Sequence, residues 1–72
     1  MASNEVQTFE GVIEELLPDD RFRVRLDDGR KVVAYVAGRL RKEYVRILEG
    51  DRVAVEMTPA APDRGRIASR LR

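Results

Sequence analysis

The sequence predicts an all-β domain, five short strands closed into a small barrel with a short helix between the third and the fourth. Three observations predict it. Apolar residues alternate with polar ones in Arg21-Phe22-Arg23-Val24-Arg25-Leu26 and in Arg52-Val53-Ala54-Val55-Glu56-Met57, and period two marks half-buried strands. Turn residues separate such windows at Pro18-Asp19-Asp20, Asp27-Asp28-Gly29 and Glu49-Gly50-Asp51, where Pro, Asp and Gly suit tight-turn backbone angles. One stretch, Gly38 to Tyr44, breaks the alternation.

The elements follow in chain order. Residues 1–6 read as a flexible polar arm, and a single domain spans 7–72. Gln7 to Leu17 is the first strand, with Gly11 inside it as the expected place for a bulge or bend. Arg21 to Leu26 is the second strand, its Phe22, Val24 and Leu26 facing one way and its arginines the other. Asp27-Asp28-Gly29 is a hairpin signal, and residues 30–37, rich in valine, form the third strand. Gly38 to Tyr44 reads as a helical turn with Leu40 and Tyr44 four apart on one face. After the turn at Glu49-Gly50-Asp51, Arg52 to Met57 is the fourth strand. Thr58 to Gly65, with Pro59 and Pro62, is a loop, and Arg66 to Leu71 is the fifth strand. Three strands, a helix and two strands is the order of the oligonucleotide-binding (OB) fold, a five-stranded Greek-key barrel. An SH3-like barrel is the alternative, and the intervening helix favours the OB fold.

Composition removes most chemistries. The 72 residues hold no histidine and no cysteine, which takes away the commonest general base, the commonest metal ligand and the thiolate. Ser3 and Ser69 have no lysine nearby in sequence, and no Gly-rich phosphate loop is present. Glu14-Glu15 is a poor catalytic pair, because neighbours on a strand point to opposite faces. Asp19-Asp20 and Asp27-Asp28 lie in turns, where Asp serves the backbone. No catalytic residue, metal site or cofactor is expected, and the chain does not read as an enzyme. The longest apolar stretch, Val32 to Ala37, is six residues, too short to span a membrane. The first residues carry no targeting pattern, so a cytoplasmic location is expected.

The net charge of +1 conceals an uneven distribution. Residues 1–20 carry six acids and no base, whereas residues 21–72 carry all 14 bases against seven acids, a surplus of seven. Acids of the first strand can pair with the arginines of the second. The later arginines have too few acids near them in sequence. Arg39, Arg41, Lys42 and Arg46 cluster around the helix, and Arg64, Arg66, Arg70 and Arg72 cluster at the end. Arg66 and Arg70, four apart, share a face of a regular strand. Clustered bases are the electrostatic footprint of a nucleic-acid binder, and Arg23 and Arg25 lie on the strand that OB folds turn toward oligonucleotides. Tyr35 and Tyr44 offer stacking surfaces, Tyr44 also reading as a packing residue. A solvated, solubilising basic surface is the plainer reading of the same residues. No element suits a DNA groove, so RNA is the expected ligand. A general single-stranded RNA binder or RNA chaperone of cold-shock type, and a protein-interaction barrel, are the alternatives to a more specific role.

From Phe9 to Arg72 the chain resembles bacterial translation initiation factor one, an OB-fold, S1-like family. The resemblance rests on Leu17-Pro18, Phe22-Arg23-Val24 with Leu26, Gly29, and the run Gly38-Arg39-Leu40-Arg41-Lys42 with Tyr44-Val45-Arg46-Ile47-Leu48. It continues through Gly50-Asp51 with Val53, Thr58-Pro59, and Gly65-Arg66-Ile67 with Arg70. The chain departs from the family's usual residues at Arg30, Tyr35, Ala60-Ala61-Pro62 and Ser69. The resemblance implies a monomeric factor that binds the small ribosomal subunit at the A-site region. Its partners would be rRNA, a neighbouring ribosomal protein and the other initiation factors, and it would block premature tRNA entry. The family's RNA-contacting positions map to Arg39, Arg41, Lys42, Arg46, Arg64, Arg66 and Arg70, and Arg23 joins them from the strand reading. With few aromatics, binding is expected to run on phosphate contacts. A plot of log affinity against log salt should then fall with a slope of about −0.7 per phosphate neutralised on a single strand; a flat plot would contradict this.

Overall fold

The computed structural model describes residues 5–38, 42 and 46–71. Five strands run along these residues: β1 Gln7–Leu17, β2 Arg21–Leu26, β3 Lys31–Val36, β4 Arg52–Met57 and β5 Arg64–Arg70. They close into a barrel ordered β1-β2-β3-β5-β4, so the all-β OB architecture read from the sequence is the one observed. β3 and β5 run parallel and the other neighbours antiparallel. The helix expected over 38–44 falls on a segment whose residues 39–41 and 43–45 lie outside the described residues. β5 starts two residues earlier than expected, because Arg64 and Gly65 pair with Val33 and Ala34 of β3, a partnership between distant segments.

Alternation delivers the core. Ile13, Val24, Leu26, Val32, Ala34, Val53, Val55, Met57 and Ile67 point inward from the five strands, and Ile47 closes the cluster from the β3–β4 connection. Phe9, Phe22 and Val36 pack against it while only partly buried. The largest fully buried side chains are Ile13, Ile67, Val24, Val53 and Val55. The interior is therefore aliphatic and thin. At roughly 1.5–3 kcal/mol per buried aliphatic side chain, such a core tolerates little misfit.

Two turns join the first three strands. Asp19 and Asp20 both take positive φ, 64° and 59°, a conformation that Asp tolerates better than most side chains. In the second hairpin Gly29 has φ 96°. Its N–H donates to the Leu26 carbonyl at 2.9 Å, and the Leu26 N–H donates to the Arg30 carbonyl at 2.7 Å. This matches a three-residue loop with a left-handed third position.

β1 makes closure work by pairing twice. Residues 7–12 pair with β4 and residues 11–17 with β2, so Gly11 and Val12 have neighbours on both sides. Gly11 is not the bulge that the sequence suggested; it sits in register, opposite Leu26 and Val53. It is glycine because a Cβ there would lie 2.6 Å from the Arg25 carbonyl oxygen and 2.8 Å from Val24 Cγ1. The register slips instead between Ile13 and Glu15, which makes Glu14 the extra residue. Gly65 has the same role on β5, where a Cβ would collide with the Val55 side chain and lie 2.9 Å from Met57 Cγ.

These contacts predict that Gly11→Ala and Gly65→Ala each cost about 1–3 kcal/mol in urea unfolding, as overpacking does. Gly38, whose added Cβ would meet nothing within 4 Å, is the control: Gly38→Ala should stay within about 0.5 kcal/mol. Equal effects at all three positions would contradict the close-approach account.

Candidate nucleic-acid interface

Strand pairing turns scattered basic residues into a ladder on one face. On β2, Arg21, Arg23 and Arg25 point outward. Across β3 they meet Tyr35, Val33 and Lys31 respectively. The parallel β5 then sets Arg64 beside Val33 and Arg66 beside Tyr35, and Glu56 of β4 ends the Tyr35 row. The rows are Arg25–Lys31, Arg23–Val33–Arg64 and Arg21–Tyr35–Arg66–Glu56, spaced about 7 Å apart along the strands.

Most of these cations have a carboxylate nearby. Arg23 Nη1 donates to Glu15 Oε1 at 3.0 Å. Arg25 and Lys31 share Glu14, each 3.6 Å from its carboxylate, so one charge of this trio is uncompensated. Arg21 lies 3.6 Å from Asp19. The bulge matters here: it places Glu14 and Glu15 both on the outer surface against the β2 and β3 cations, not on opposite faces as plain alternation suggests.

Two of the later arginines also have partners, contrary to the sequence expectation. Arg66 Nη2 donates to Glu56 Oε1, and Arg70 Nε lies 3.3 Å from Asp51 Oδ2. Antiparallel pairing of β4 and β5 brings these acids across distances that sequence proximity does not reveal. Arg66 and Arg70 do not share a face either. The register slips between Ala54 and Val55, which makes Ala68 the extra residue and puts Arg70 opposite the inward Val53. Hydrogen bonding to Glu56 raises the Arg66 pKa above its usual value. Exposed pairs of this kind are worth only about 0–1 kcal/mol, so a phosphate can replace the carboxylate at little cost. Arg64 is exposed and has no ion pair among the described residues.

Lys42 and Arg46 are exposed in the connection that leaves β3 just past Tyr35 and returns at the buried Ile47. Neither has an ion pair among the described residues. Arg39, Arg41 and Tyr44, also named from the sequence, lie outside the described residues. Tyr35 is 54% exposed at the centre of the ladder. Arg25, which the sequence already put on the oligonucleotide-facing strand, stands on the same face, as do Arg21 and Lys31, which were not singled out for RNA contact. Alternation in 21–26 signals the first two, whereas Lys31 joins through its register with Arg25. Beside Tyr35 an open groove of about 420 Å³ runs past Glu56, Met57, Ala61, Arg64 and Arg66. Among the described residues no cluster of acids, His or Cys is arranged to hold a metal ion, and no helix is long and apolar enough to cross a membrane.

The seam between β1 and β4 is different. Arg52 reaches across β1, its Nη2 donating to Glu10 Oε1 at 2.9 Å and to Asp27 Oδ2 at 2.7 Å. The Asp27 N–H donates to the Glu10 carbonyl at 2.9 Å. The Arg30 guanidinium lies 4.9 Å from the centre of the Phe9 ring. These contacts dock the β2–β3 hairpin on β1 and commit the Arg52 charge to two acids. The Arg52 hydrogen bond holds the Asp27 carboxyl below the usual carboxylate range. The Arg30 backbone N–H, followed by its side chain, does the same for Asp28.

The family model for translation initiation factor 1A / IF-1 matches residues 1–72. Translation initiation factor IF-1 of Azorhizobium caulinodans is 54% identical over 67 residues, covering 93% of this chain and 74% of that protein. Translation initiation factor IF-1 2 of Polynucleobacter asymbioticus is 47% identical over 70 residues, covering 97% and 81%. The solution structure of the corresponding translation initiation factor from the Wolbachia endosymbiont of Brugia malayi superposes with a TM-score of 0.78 at 39% identity, covering 97% of this chain and 83% of that one. The crystal structure of YjeQ from Thermotoga maritima, with a TM-score of 0.74 at 22% identity, covers 92% of this chain and 23% of that one; it shows a shared fold alone.

The seam carries a prediction about pH. Asp27 and Asp28 have lowered folded-state pKa values, so their stabilisation is complete above the unfolded value of about 3.9 and drains away as pH falls through the lowered values. Asp27→Asn should lower the melting temperature at neutral pH and flatten its decline in acid. An unchanged acid slope would show that the Arg52 contact does not couple to folding.

Proposed function

Because the chain belongs to the translation initiation factor 1A / IF-1 family, we propose that it acts in translation initiation by seating its basic barrel face on the small ribosomal subunit. The site is the A-site region, where the barrel contacts rRNA and a neighbouring ribosomal protein. Its bulk blocks premature tRNA entry and its presence assists the other initiation factors. The mechanism is occupancy without catalysis: no bond is made or broken, and the factor works in the cytoplasm as a monomer. The phosphate contacts are Arg23, Arg39, Arg41, Lys42, Arg46, Arg64, Arg66 and Arg70, with Tyr35 and Tyr44 as stacking groups.

The observation that carries this reading is the ladder across β2, β3 and β5. It presents guanidinium groups in rows, several held by carboxylates that a phosphate can displace, and leaves Arg64 free of such pairing among the described residues. Guanidinium forks match phosphate oxygens two at a time and stack on bases, and preorganised rows spare part of the entropy of ordering long side chains. Loading one face with cations also steers the barrel toward a polyanion.

Arg46→Glu combined with Arg64→Glu tests the proposal, since both side chains are exposed and neither change breaks an ion pair among the described residues. The double variant should keep its far-UV circular dichroism and melting temperature but fail to co-sediment with small ribosomal subunits at moderate salt. Wild-type levels of co-sedimentation would overturn the proposal.

A further inference from the structure

We propose that Glu14, Glu15 and Glu56 compete from within the barrel for the cations that hold RNA, and so shorten the time the protein stays bound. The inference rests on the RNA-binding reading above and adds to it a device for release.

The fold places these acids for the task. Glu15 meets Arg23 at 3.0 Å, Glu14 lies 3.6 Å from both Arg25 and Lys31, and Glu56 holds Arg66. Three acids thus face four cations of the ladder. Glu14 and Glu15 both reach this face only because the register slips between Ile13 and Glu15. Plain alternation would turn one of the two inward, and re-aiming a side chain is what bulges do.

Each acid holds its cation lightly. Glu15 accepts a hydrogen bond from one guanidinium nitrogen of Arg23, and Glu56 from one of Arg66, whereas a guanidinium has five N–H donors. A phosphate can therefore take the cation while the displaced carboxylate stays tethered beside it. An exposed pair re-forms with an equilibrium constant on the order of one to five, and its rotamers turn over within picoseconds to nanoseconds. A phosphate that lifts off thus loses its cation to the carboxylate before it returns. Contacts to a polyanion open and close in turn, and each recapture raises the rate of departure. Arg52 marks the contrast: two acids, Glu10 and Asp27, commit it to the seam. A protein that works by occupancy must also leave, and these single, exposed pairs supply the means.

The chain has no cysteine, so a dye is attached to the N-terminal amine. Its release from small ribosomal subunits is followed by stopped-flow fluorescence after excess unlabelled protein is added. Glu15→Gln and Glu56→Gln should each slow release about two- to fivefold, the worth of an exposed pair, and together about tenfold. Glu49→Gln removes the same charge from an exposed residue that has no ion pair among the described residues. It should change the association rate, as rim charges do, and leave release unaltered. Unchanged far-UV circular dichroism checks the fold of each variant. Unaltered release of the double variant, or equal slowing by Glu49→Gln, would overturn the competition while leaving the electrostatic reading standing. Failure of the wild-type protein to bind subunits at low salt would overturn both.

Discussion

Closing five short strands around an interior of valine, isoleucine, leucine, methionine and alanine forces two backbones together wherever no side chain can fit between them. Gly11 is the sharpest case. It lies where β1 passes from pairing with β4 to pairing with β2, and a Cβ would press on Arg25 and Val24 of the neighbouring strand. Gly65 repeats the constraint against Val55 and Met57. With Gly11 in place β1 belongs to both halves of the barrel, and the order β1-β2-β3-β5-β4 follows. That order lays β2, β3 and β5 side by side and sets the basic rows in line. The basic face is thus a consequence of how the barrel closes.

Closure also divides the electrostatics. Along the β1–β4 seam, Arg52 is bound to Glu10 and Asp27, and the β2–β3 hairpin is docked on β1. On the ladder, exposed pairs such as Arg23–Glu15 and Arg66–Glu56 hold guanidiniums in place without locking them. The same residue type has two roles. One arginine satisfied by two acids braces a seam, while those sharing acids, or having none, remain available to a polyanion. This division explains how a chain of net charge +1 can present a basic surface, since its acids are gathered mainly in the first strand and the turns.

Alternation and turn chemistry made the fold readable from the sequence. Val24, Leu26, Val53, Val55 and Met57 sit inward as period two requires, and the bounds of β1, β2 and β4 match the alternating and turn-flanked windows. Features that depend on pairing between distant segments were not readable. Alternation alone cannot place the extra residues Glu14 and Ala68, because a bulge is defined by the opposite strand. Each one reverses an inference about which side chains share a face. Glu10 and Arg52 lie 42 residues apart, and Glu56 and Arg66 lie 10 apart, so only the folded chain shows that these charges meet. The clusters at 64–70 and in the β3–β4 connection were visible as composition. The alignment of Arg64 and Arg66 with Arg21, Arg25, Lys31 and Tyr35 came from the parallel β3–β5 pair.

Amide line broadening across the labelled barrel on addition of small ribosomal subunits would test most directly that this face is the one that docks. The account predicts broadening first at Arg23, Tyr35, Arg64 and Arg66, with Glu10, Asp27 and Ala54 of the seam side retaining narrow lines at the same occupancy. Broadening that begins at the seam, or that spreads evenly around the barrel, would contradict it.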